Sequence, residues 1–565
     1  MSSTDTTDTR HGVGVSPGVA VGPVVQVRRA LVAPADEPAP DDVDAAKAQL
    51  AQALEAVAQT LEAKAASASP EAQAILFATT MMARDPGLLA GAGTHLDAGH
   101  GPANAISLAV EEYCTVLEAA GGYMAERVTD LRDVKDRAVS RLLGSNDPGV
   151  PDLREPAVLV AYDLAPSETV TLDRESVLAI VTEAGGRTSH TAILAAQMGI
   201  PAIVQVPGAT QLATGMQLAV DGSTGAVVDP SDEDARALND RAAARAELLM
   251  SSHGSGETSD GHPVALLANI GTVKDAEEAG ALDVEGVGLF RTEMLFLDRD
   301  DAPGLEEQTA TYTKVLAAFT SDDARRRVVV RTLDAGADKP LAFADLGEEE
   351  NPALGRRGLR LGMERTQLLD TQLQALAAAG KATGADLRVM APMVATHDEA
   401  AWFADRARAA GIAKVGVMVE IPAAAVRASQ VLADVDFASI GTNDLSQYTM
   451  AADRMLGELS DLLDPWQPAV LDLVKATCDG GAATSSPVGV CGEAAADPLM
   501  ALVLVGLGVS SLSMSPSRVP AVRVALGLHT LAQCREVADA ALAADSADGA
   551  RAAALAAADA KVAAV

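Results

Sequence analysis

The chain has 565 residues, enough for three or four domains of ordinary size, and carries a formal net charge of −35. Such an acidic excess argues against a nucleic-acid-binding protein, because neutralising phosphates requires a basic surface. The four cysteines form no CxxC pair, so we expect neither a disulfide framework nor a zinc cluster, and we expect a reducing cytoplasm. No long apolar run and no export signal occur, so we expect no membrane span.

The first part of the chain mixes strand-like and helical patterns. Val13 to Val27 alternates apolar residues with glycine and proline, which predicts a short hairpin in the segment 1–35. Apolar residues then recur at helical spacing, as from Val43 to Leu61, and this predicts a helical bundle over 36–145. Strand-like runs return in 146–230, at Ala157–Val160, Val177–Val181, Ala202–Val206 and Ala226–Val228. The simplest arrangement is one α/β domain into which the bundle is inserted.

The remaining chain begins with a charged, alanine-rich helix, which we interpret as a linker over 231–258. Eight β-rich runs then alternate with helical stretches, which predicts a (β/α)8 barrel over 259–565. An open doubly wound sheet is the alternative fold that this pattern leaves open. The eight runs are Val264–Asn269, Val287–Arg291, Val328–Leu333, Leu387–Pro392, Val415–Glu420, Val435–Gly441, Val488–Gly492 and Val509–Met514.

A short motif, GGRTSH at Gly185–His190, joins a predicted strand to a predicted helix in the α/β domain. A glycine turn at a helix start directs backbone N–H groups and the positive end of the helix dipole at one point, which favours an anion. The imidazole of His190 can attack a phosphorus atom there and carry the phosphoryl group. An N-capped helix with a surface histidine is the alternative interpretation.

Arginines gather where the predicted barrel strands end, the place where such barrels build their active sites. Arg291 ends the second strand, Arg331 lies in the third, and Arg357 follows in the next loop. Guanidinium groups bind phosphate and carboxylate in a bidentate manner, so these residues are candidates for a clamp on such a substrate. Salt bridges to neighbouring carboxylates are the ordinary alternative.

Carboxylates and a thiol follow the later strands. Glu420 ends the fifth strand and Asp444 follows the sixth, with Arg454 ten residues further on. Two such carboxylates suit Mg²⁺, whose remaining ligands are substrate oxygens and water. Cys491 ends the seventh strand, and a thiol that is protonated at neutral pH can serve as an acid. Structural roles would explain each residue singly, but they do not predict that all gather at one end of the barrel.

These motifs resemble Enzyme I of the bacterial sugar phosphotransferase system, the phosphoenolpyruvate–protein phosphotransferase. The resemblance covers roughly residues 150–520 by motif and the whole chain by layout. It rests on GGRTSH at 185–190, FRTE at 290–293, RTLD at 331–334, the NPxLG stretch at 351–355 ahead of Arg357, VMVEIP at 417–422, SIGTNDLSQYT at 439–449, and CGE at 491–493.

The resemblance implies that His190 is the phosphoryl acceptor, with Thr169 as its hydroxyl partner, and that Cys491 is a proton donor. It implies that Glu420 and Asp444 hold Mg²⁺. By the same resemblance, phosphoenolpyruvate is bound, with help from Arg357, by Arg291, Arg331, Asn443, Asp444 and Arg454.

The resemblance also implies partners. The phosphoryl group would pass to the phosphocarrier protein HPr, docked on the helical insertion, as the first step of sugar uptake. Phe77, Met81 and Met82 are candidates for that contact face, although core packing is the expected role of at least one of them. The family further implies a homodimer formed through the barrel.

Two other interpretations remain. Pyruvate phosphate dikinase and phosphoenolpyruvate synthase share the histidine domain and the barrel, but they need a large nucleotide-binding domain. No glycine-rich phosphate loop precedes the histidine motif, so the sequence offers ATP no evident site. A non-catalytic scaffold protein is the third possibility, and the intact His190, Glu420, Asp444 and Cys491 argue against it.

Overall fold

The structure, a computed structural model, divides into two compact units, Met1–Ala243 and Ala244–Val565. None of the helices that it describes is long and apolar enough to cross a membrane. It describes the chain except for residues 1–8, 17, 66–69, 121, 152, 154, 165–171, 173–175, 187–190, 193–194, 196–197, 223, 231, 298, 300, 322–324, 337–340, 345–346, 348 and 455.

The first unit contains a mixed sheet in the order β1-β8-β7-β3-β4-β5-β6-β2. Strands β3 to β6 are parallel to one another, and the outer pairings are antiparallel. Apolar side chains cover both faces, which is typical of a parallel sheet flanked by other elements. The strands are β1 (Thr9–His11), β2 (Val13–Ser16), β3 (Val19–Gln26), β4 (Ala157–Ala161), β5 (Val177–Thr182), β6 (Ala202–Val204), β7 (Gln217–Asp221) and β8 (Ala226–Val228).

The predicted hairpin at the start of the chain is wrong. Strand β2 pairs with β6, and β3 pairs with β4 and β7, so the two successive strands lie far apart in the sheet. Glycines allow β2 to approach its distant neighbours: a Cβ on Gly14 would lie 2.2 Å from the carbonyl oxygen of Gly222. Local alternation of apolar residues predicts strands, but it does not reveal these long-range partners.

The helical insertion lies between β3 and β4 in the chain, as predicted. Leu50, Leu54, Val57 and Leu61 of its first helix are buried together in the core of the bundle, which confirms the predicted apolar face. The helices are α1 (Val43–Ala65), α2 (Pro70–Ala83), α3 (Pro86–Asp97), α4 (Pro102–Ala120) and α5 (Gly122–Leu142). Helix α6 (Asp232–Met250) then occupies the predicted linker.

The second unit is a closed barrel of eight parallel strands in the part of the chain that the structure describes. This confirms the predicted barrel and excludes the open sheet. Each predicted run contains one strand, with small differences at the ends. The strands are β9 (Ala265–Ile270), β10 (Gly286–Arg291), β11 (Arg327–Arg331), β12 (Asp386–Ala391), β13 (Val415–Val419), β14 (Phe437–Ile440), β15 (Val488–Val490) and β16 (Ser511–Met514).

Helices surround the barrel, and several begin at a side-chain cap. Thr272, Thr396 and Thr530 each accept a hydrogen bond in a capping box, which satisfies backbone donors at the helix start. The helices are α7 (Val273–Gly280), α8 (Leu305–Ala317), α9 (Leu359–Glu364), α10 (Thr366–Thr383), α11 (His397–Ala409), α12 (Pro422–Val426), α13 (Ala428–Val431), α14 (Thr442–Met450), α15 (Pro468–Thr484), α16 (Pro498–Gly506), α17 (Val519–Gly527), α18 (Leu531–Leu542) and α19 (Ala547–Ala557).

The barrel has two apolar regions. A large core fills the space between the strands and the outer helices. A smaller layer fills the barrel interior, where alternate residues of each strand point inward. Its members are Leu289, Val329, Met390, Met418, Phe437 and Cys491. This layer separates the two ends of the barrel, so a polar site at one end is isolated from the other end.

Candidate active site

Charged side chains are buried beside one another at the carboxyl ends of the barrel strands. Arg331 ends β11, Glu420 follows β13, and Asp444 lies in the first turn of α14 after β14. All three are less than one-tenth exposed, as are Asp334 and Arg357 from the segment after β11. Buried charges are costly unless they are paired, so the pairing within this cluster determines what it can do.

Arg331 contacts three carboxylates. One terminal nitrogen bonds Glu293, and the other lies 3.2 Å from Asp334 and 3.8 Å from Glu420. Burial alone would lower the pKa of Arg331, but the charges of these carboxylates raise it above its ordinary value, so the guanidinium is permanently charged. Its Nε is buried and has no hydrogen-bond partner among the described residues, and neither has Oε2 of Glu293.

Arg357 joins two carboxylates by paired hydrogen bonds. Its Nε and one terminal nitrogen donate to Asp334 at 3.0 and 2.9 Å, and the terminal nitrogens donate to Asp444 at 3.0 and 3.2 Å. Such bidentate pairs fix the planar group strongly. The loop reaches this position because Gly358 has φ +62° and because Gly336 leaves room: a Cβ there would lie 2.8 Å from the Cβ of Arg357.

Glu420 is 1% exposed, and its Oε2 accepts a hydrogen bond of 2.9 Å from the backbone N–H of Met393. Met393 has φ +57°, an uncommon conformation for a residue other than glycine. Burial, with the nearby charges of Asp444 and Asp334, raises the pKa of Glu420 to about 7. The carboxylates here therefore carry more negative charge than the surroundings stabilise, and a cation would relieve that excess.

Cys491 follows β15 and is 2% exposed. Burial raises the pKa of its thiol to about 11, although a hydrogen bond with Ser439 lowers it; the charge of Glu420 raises it, and those of Arg331 and Arg291 lower it. The group therefore keeps its proton at neutral pH, and its Sγ donates to the carbonyl oxygen of Ile440 at 3.6 Å. A buried, protonated thiol next to charged groups has the properties required of a proton donor.

The remaining candidates lie at the rim. Arg291 is exposed at the end of β10. Arg454 is 37% exposed, and its guanidinium lies 3.9 Å from Asp444. Asn443 is half-buried, and its side-chain oxygen accepts a hydrogen bond from the N–H of Glu493 at 3.1 Å. The arrangement thus combines two buried, fixed arginines with two accessible ones, of which Arg454 lies beside Asp444.

Sequence reasoning did not assign Asp334, although it links Arg331 to Arg357. It follows β11 and stands three residues after Arg331, and this spacing was the available signal. The role of Glu293 was also missed, because its bond to Arg331 depends on the register between neighbouring strands. The sequence does not indicate that the backbone N–H of Met393 bonds Glu420, nor that Met393 has a positive φ.

The predicted phosphoryl acceptor, His190, lies outside the described residues, and so does its predicted partner Thr169. The structure does describe what flanks the motif. Strand β5 ends at Thr182, and Gly185 has φ +93°, which is consistent with the predicted glycine turn. Thr191, directly after the motif, is buried and donates to the carbonyl oxygen of Leu164 at 3.4 Å.

The residues proposed for the carrier contact differ in exposure. Phe77 is 63% exposed and Met81 is 55% exposed, one helical turn apart on α2. Met82 packs partly against the core of the bundle, which confirms that one of the three has a packing role.

Among the described residues, no group of three or more histidine, cysteine, aspartate or glutamate side chains is arranged to hold a metal ion. This finding does not conflict with the expected Mg²⁺ site, because Mg²⁺ commonly takes only one or two protein carboxylates. The four cysteines are all buried, and none of them forms a disulfide.

Comparison with known families gives three consecutive matches. Residues 11–127 match the N-terminal domain of PEP-utilising enzymes, residues 153–225 match their mobile domain, and residues 245–530 match their PEP-binding domain. The last match alone covers about half of the chain and contains the whole charged cluster.

Similar proteins match over nearly the full length. A phosphoenolpyruvate-protein phosphotransferase of Streptomyces coelicolor is 52% identical over 97% of this chain and 98% of its own. A protein of the same name from Haloferax volcanii is 42% identical over 95% of this chain and 97% of its own. A multiphosphoryl transfer protein of Xanthomonas campestris is 38% identical over 96% of this chain and 66% of its own. The chain is therefore an enzyme of the phosphoenolpyruvate–protein phosphotransferase family, the Enzyme I family that its motifs resemble.

Proposed function

We propose that this enzyme takes the phosphoryl group of phosphoenolpyruvate onto His190 and passes it to the phosphocarrier protein HPr, as the first step of sugar uptake. The observation that carries the proposal is the buried cluster of Arg331, Arg357, Glu420 and Asp444 at the carboxyl end of the barrel. It supplies fixed cations for an anionic substrate and carboxylates for a divalent cation, next to a protonated thiol.

In this proposal Arg331 is the fixed cation that contacts the substrate. Its buried Nε lacks a hydrogen-bond partner in the described part of the chain, and a substrate oxygen would supply one. Arg357 acts indirectly, since its hydrogen bonds hold Asp334 and Asp444 in place. The accessible Arg291 and Arg454, with Asn443, complete the binding of phosphate and carboxylate.

Glu420 and Asp444 are the residues that would hold Mg²⁺. Their fit rests on two buried carboxylates, one of which has its pKa raised by the charge of the other. When bound, Mg²⁺ would supply positive charge beside the phosphate and the developing enolate oxygen. Asp444 would then exchange part of its pairing with Arg357 for the metal.

The reaction is balanced by these groups together. The nitrogen of His190 attacks phosphorus, so a P–N bond forms while the bond between phosphorus and the enol oxygen breaks. The electron pair of that bond leaves on the enolate of pyruvate. Cys491 then gives its proton to the methylene carbon, which forms pyruvate, and the thiolate regains a proton from solvent. The phosphoryl group then passes from His190 to HPr, and this regenerates His190.

We assign the domains accordingly. Residues 1–35 and 146–230 form the phosphohistidine domain, residues 36–145 bind the carrier, residues 231–258 link the halves, and residues 259–565 bind phosphoenolpyruvate.

The exposed apolar pair Phe77 and Met81 on α2 supports a protein contact in the helical insertion. Val32 lies outside the bundle helices and is 88% exposed. Its replacement by alanine is therefore a control for the loss of exposed apolar surface when Phe77 and Met81 are replaced.

We further propose a homodimer formed through the barrel and a cytoplasmic location. Large apolar side chains are exposed on the second unit, among them Met294, Leu354 and Val426, and a partner subunit would cover such surface. The free cysteines are compatible with a reducing compartment. Sedimentation of the purified protein tests the assembly: a monomer at micromolar concentration would contradict it.

The match over nearly the full length of phosphoenolpyruvate-protein phosphotransferases favours this function over a dikinase or synthase role. The decisive test is transfer from phosphoenolpyruvate to purified HPr in the absence of any nucleotide. We expect one pyruvate for each phosphorylated HPr. A requirement for ATP, or pyruvate release without phosphorylated HPr, would refute the proposal.

A further inference from the structure

A second cationic recess lies at the amino-terminal end of the barrel strands. Its lining includes Arg327, Arg388, Gly489 and Ser511. Arg327 is the first residue of β11, whereas Arg331 of the candidate active site is the last. Four residues of a strand span roughly 13 Å, and the apolar interior layer lies between the two ends. The recess is therefore separate from the charged cluster described above.

The two arginines of the recess differ in their pairing. Arg388 donates to Asp386 at 2.9 Å. Arg327 is half-buried, and within the described residues it has neither an ion pair nor a hydrogen bond from its guanidinium. Burial lowers the pKa of Arg327, and the charge of Arg388 lowers it further, while Glu285 and Asp386 partly compensate. Glu285 accepts hydrogen bonds on its Oε2 from the backbone N–H groups of Gly256 and Leu266.

Neutral donors and small residues add to this environment. Ser511 lines the recess, and its hydroxyl lies over Gly489, where a Cβ would be only 2.4 Å from Oγ. Because Gly489 has no side chain, the hydroxyl of Ser511 has room to occupy this position. Guanidinium groups and a hydroxyl around one recess form a donor set that matches a tetrahedral oxyanion.

We propose that this recess binds a small phosphate-bearing anion between Arg327 and Arg388, at a site distinct from that of phosphoenolpyruvate. A dianionic phosphate provides enough acceptors for the unpaired guanidinium of Arg327 and for Ser511 at the same time. It also offsets the charge of Arg327, for which the described residues provide no ion pair. Free phosphate and the phosphate group of a monoester present the same chemistry, and the experiment below separates them.

The test compares phosphate binding by Arg327→Gln, by the unaltered protein and by Arg325→Gln. Arg325 is exposed and does not line the recess, so its substitution removes the same charge from a nearby place. Calorimetric titration with inorganic phosphate should show a site that Arg327→Gln weakens roughly 10- to 100-fold, the usual effect of losing hydrogen bonds to a charged group. Arg325→Gln should keep that site. Titration with glycerol 2-phosphate repeats the comparison for a monoester: tighter binding than that of inorganic phosphate would identify a monoester as the ligand, and weaker binding would identify free phosphate.

The KM for phosphoenolpyruvate should be the same in all three proteins, because the active site is untouched. A phosphate affinity that Arg327→Gln leaves unchanged would overturn the proposal, and so would a parallel change in KM. A lower melting temperature with unchanged phosphate affinity would show that these arginines only stabilise the barrel. If Arg327→Gln does not fold, Arg327→Lys keeps the charge but loses the paired donors, and phosphate binding about tenfold weaker is then expected.

Discussion

Replacing Cys491 by alanine tests the proposed proton transfer. With its pKa raised to about 11, the thiol is ionised in roughly one molecule in ten thousand at neutral pH, so nearly every molecule has the proton available. General acid catalysis typically contributes ~10²–10⁴-fold, about 3–5 kcal/mol of barrier. We expect Cys491→Ala to slow pyruvate formation by that factor. The KM for phosphoenolpyruvate should change little, because the arginines remain in place.

The assay is pyruvate formation followed by a coupled dehydrogenase, together with a melting curve for each variant. Cys491→Ser should be almost as slow, since a hydroxyl is a far weaker acid. Cys478→Ala is the matched control, because Cys478 is also buried and burial raises its pKa to about 12, but it lies on α15. Both alanine variants should lose about 1–2 kcal/mol of stability. A Cys491→Ala enzyme with the normal rate would refute the reasoning and leave this cysteine a packing role.

Further predictions concern the acceptor, the carrier contact and the charged cluster. His190→Ala should abolish transfer to HPr while calorimetry still detects phosphoenolpyruvate binding. Phe77→Ala with Met81→Ala should raise the KM for HPr about tenfold or more, without slowing self-phosphorylation. Glu420→Gln should abolish the rise in melting temperature that Mg²⁺ causes. In the unaltered protein this rise should be larger above about pH 7 than below it. The reason is that the metal binds the ionised carboxylate of Glu420, whose pKa is raised to about 7. Asp334→Asn should lower the free energy of unfolding by about 3–5 kcal/mol in denaturant titration, because it leaves buried arginine charge unpaired.

The sequence predicted the barrel well because most of its strands are short apolar runs separated by helical stretches. Buried parallel strands have this pattern whatever their partners, so no long-range information was needed. The first sheet was less predictable. Strand β7 was missed, and β2 and β3 were joined in a hairpin, whereas β2 pairs with β6, and β3 with β4 and β7, all more than 100 residues away in the chain.

At the site, the sequence identified the residues but not their pairing. Arg331, Glu420 and Asp444 stood out because they follow strands of one barrel. That Asp334 joins Arg331 to Arg357 depends on a loop that folds back over the barrel end, and that geometry is set by glycine conformations and packing. Arg327, which has no ion pair among the described residues, was not identified from the sequence, because nothing local marks the direction in which an arginine points.

The central claim is that phosphoenolpyruvate phosphorylates His190 directly. The measurement is mass spectrometry of the protein after incubation with phosphoenolpyruvate and Mg²⁺ and without nucleotide. We expect one phosphoryl group per chain, on the peptide that contains His190, lost in acid and retained in alkali. A phosphoryl group on another residue, or none unless ATP is added, would contradict the account.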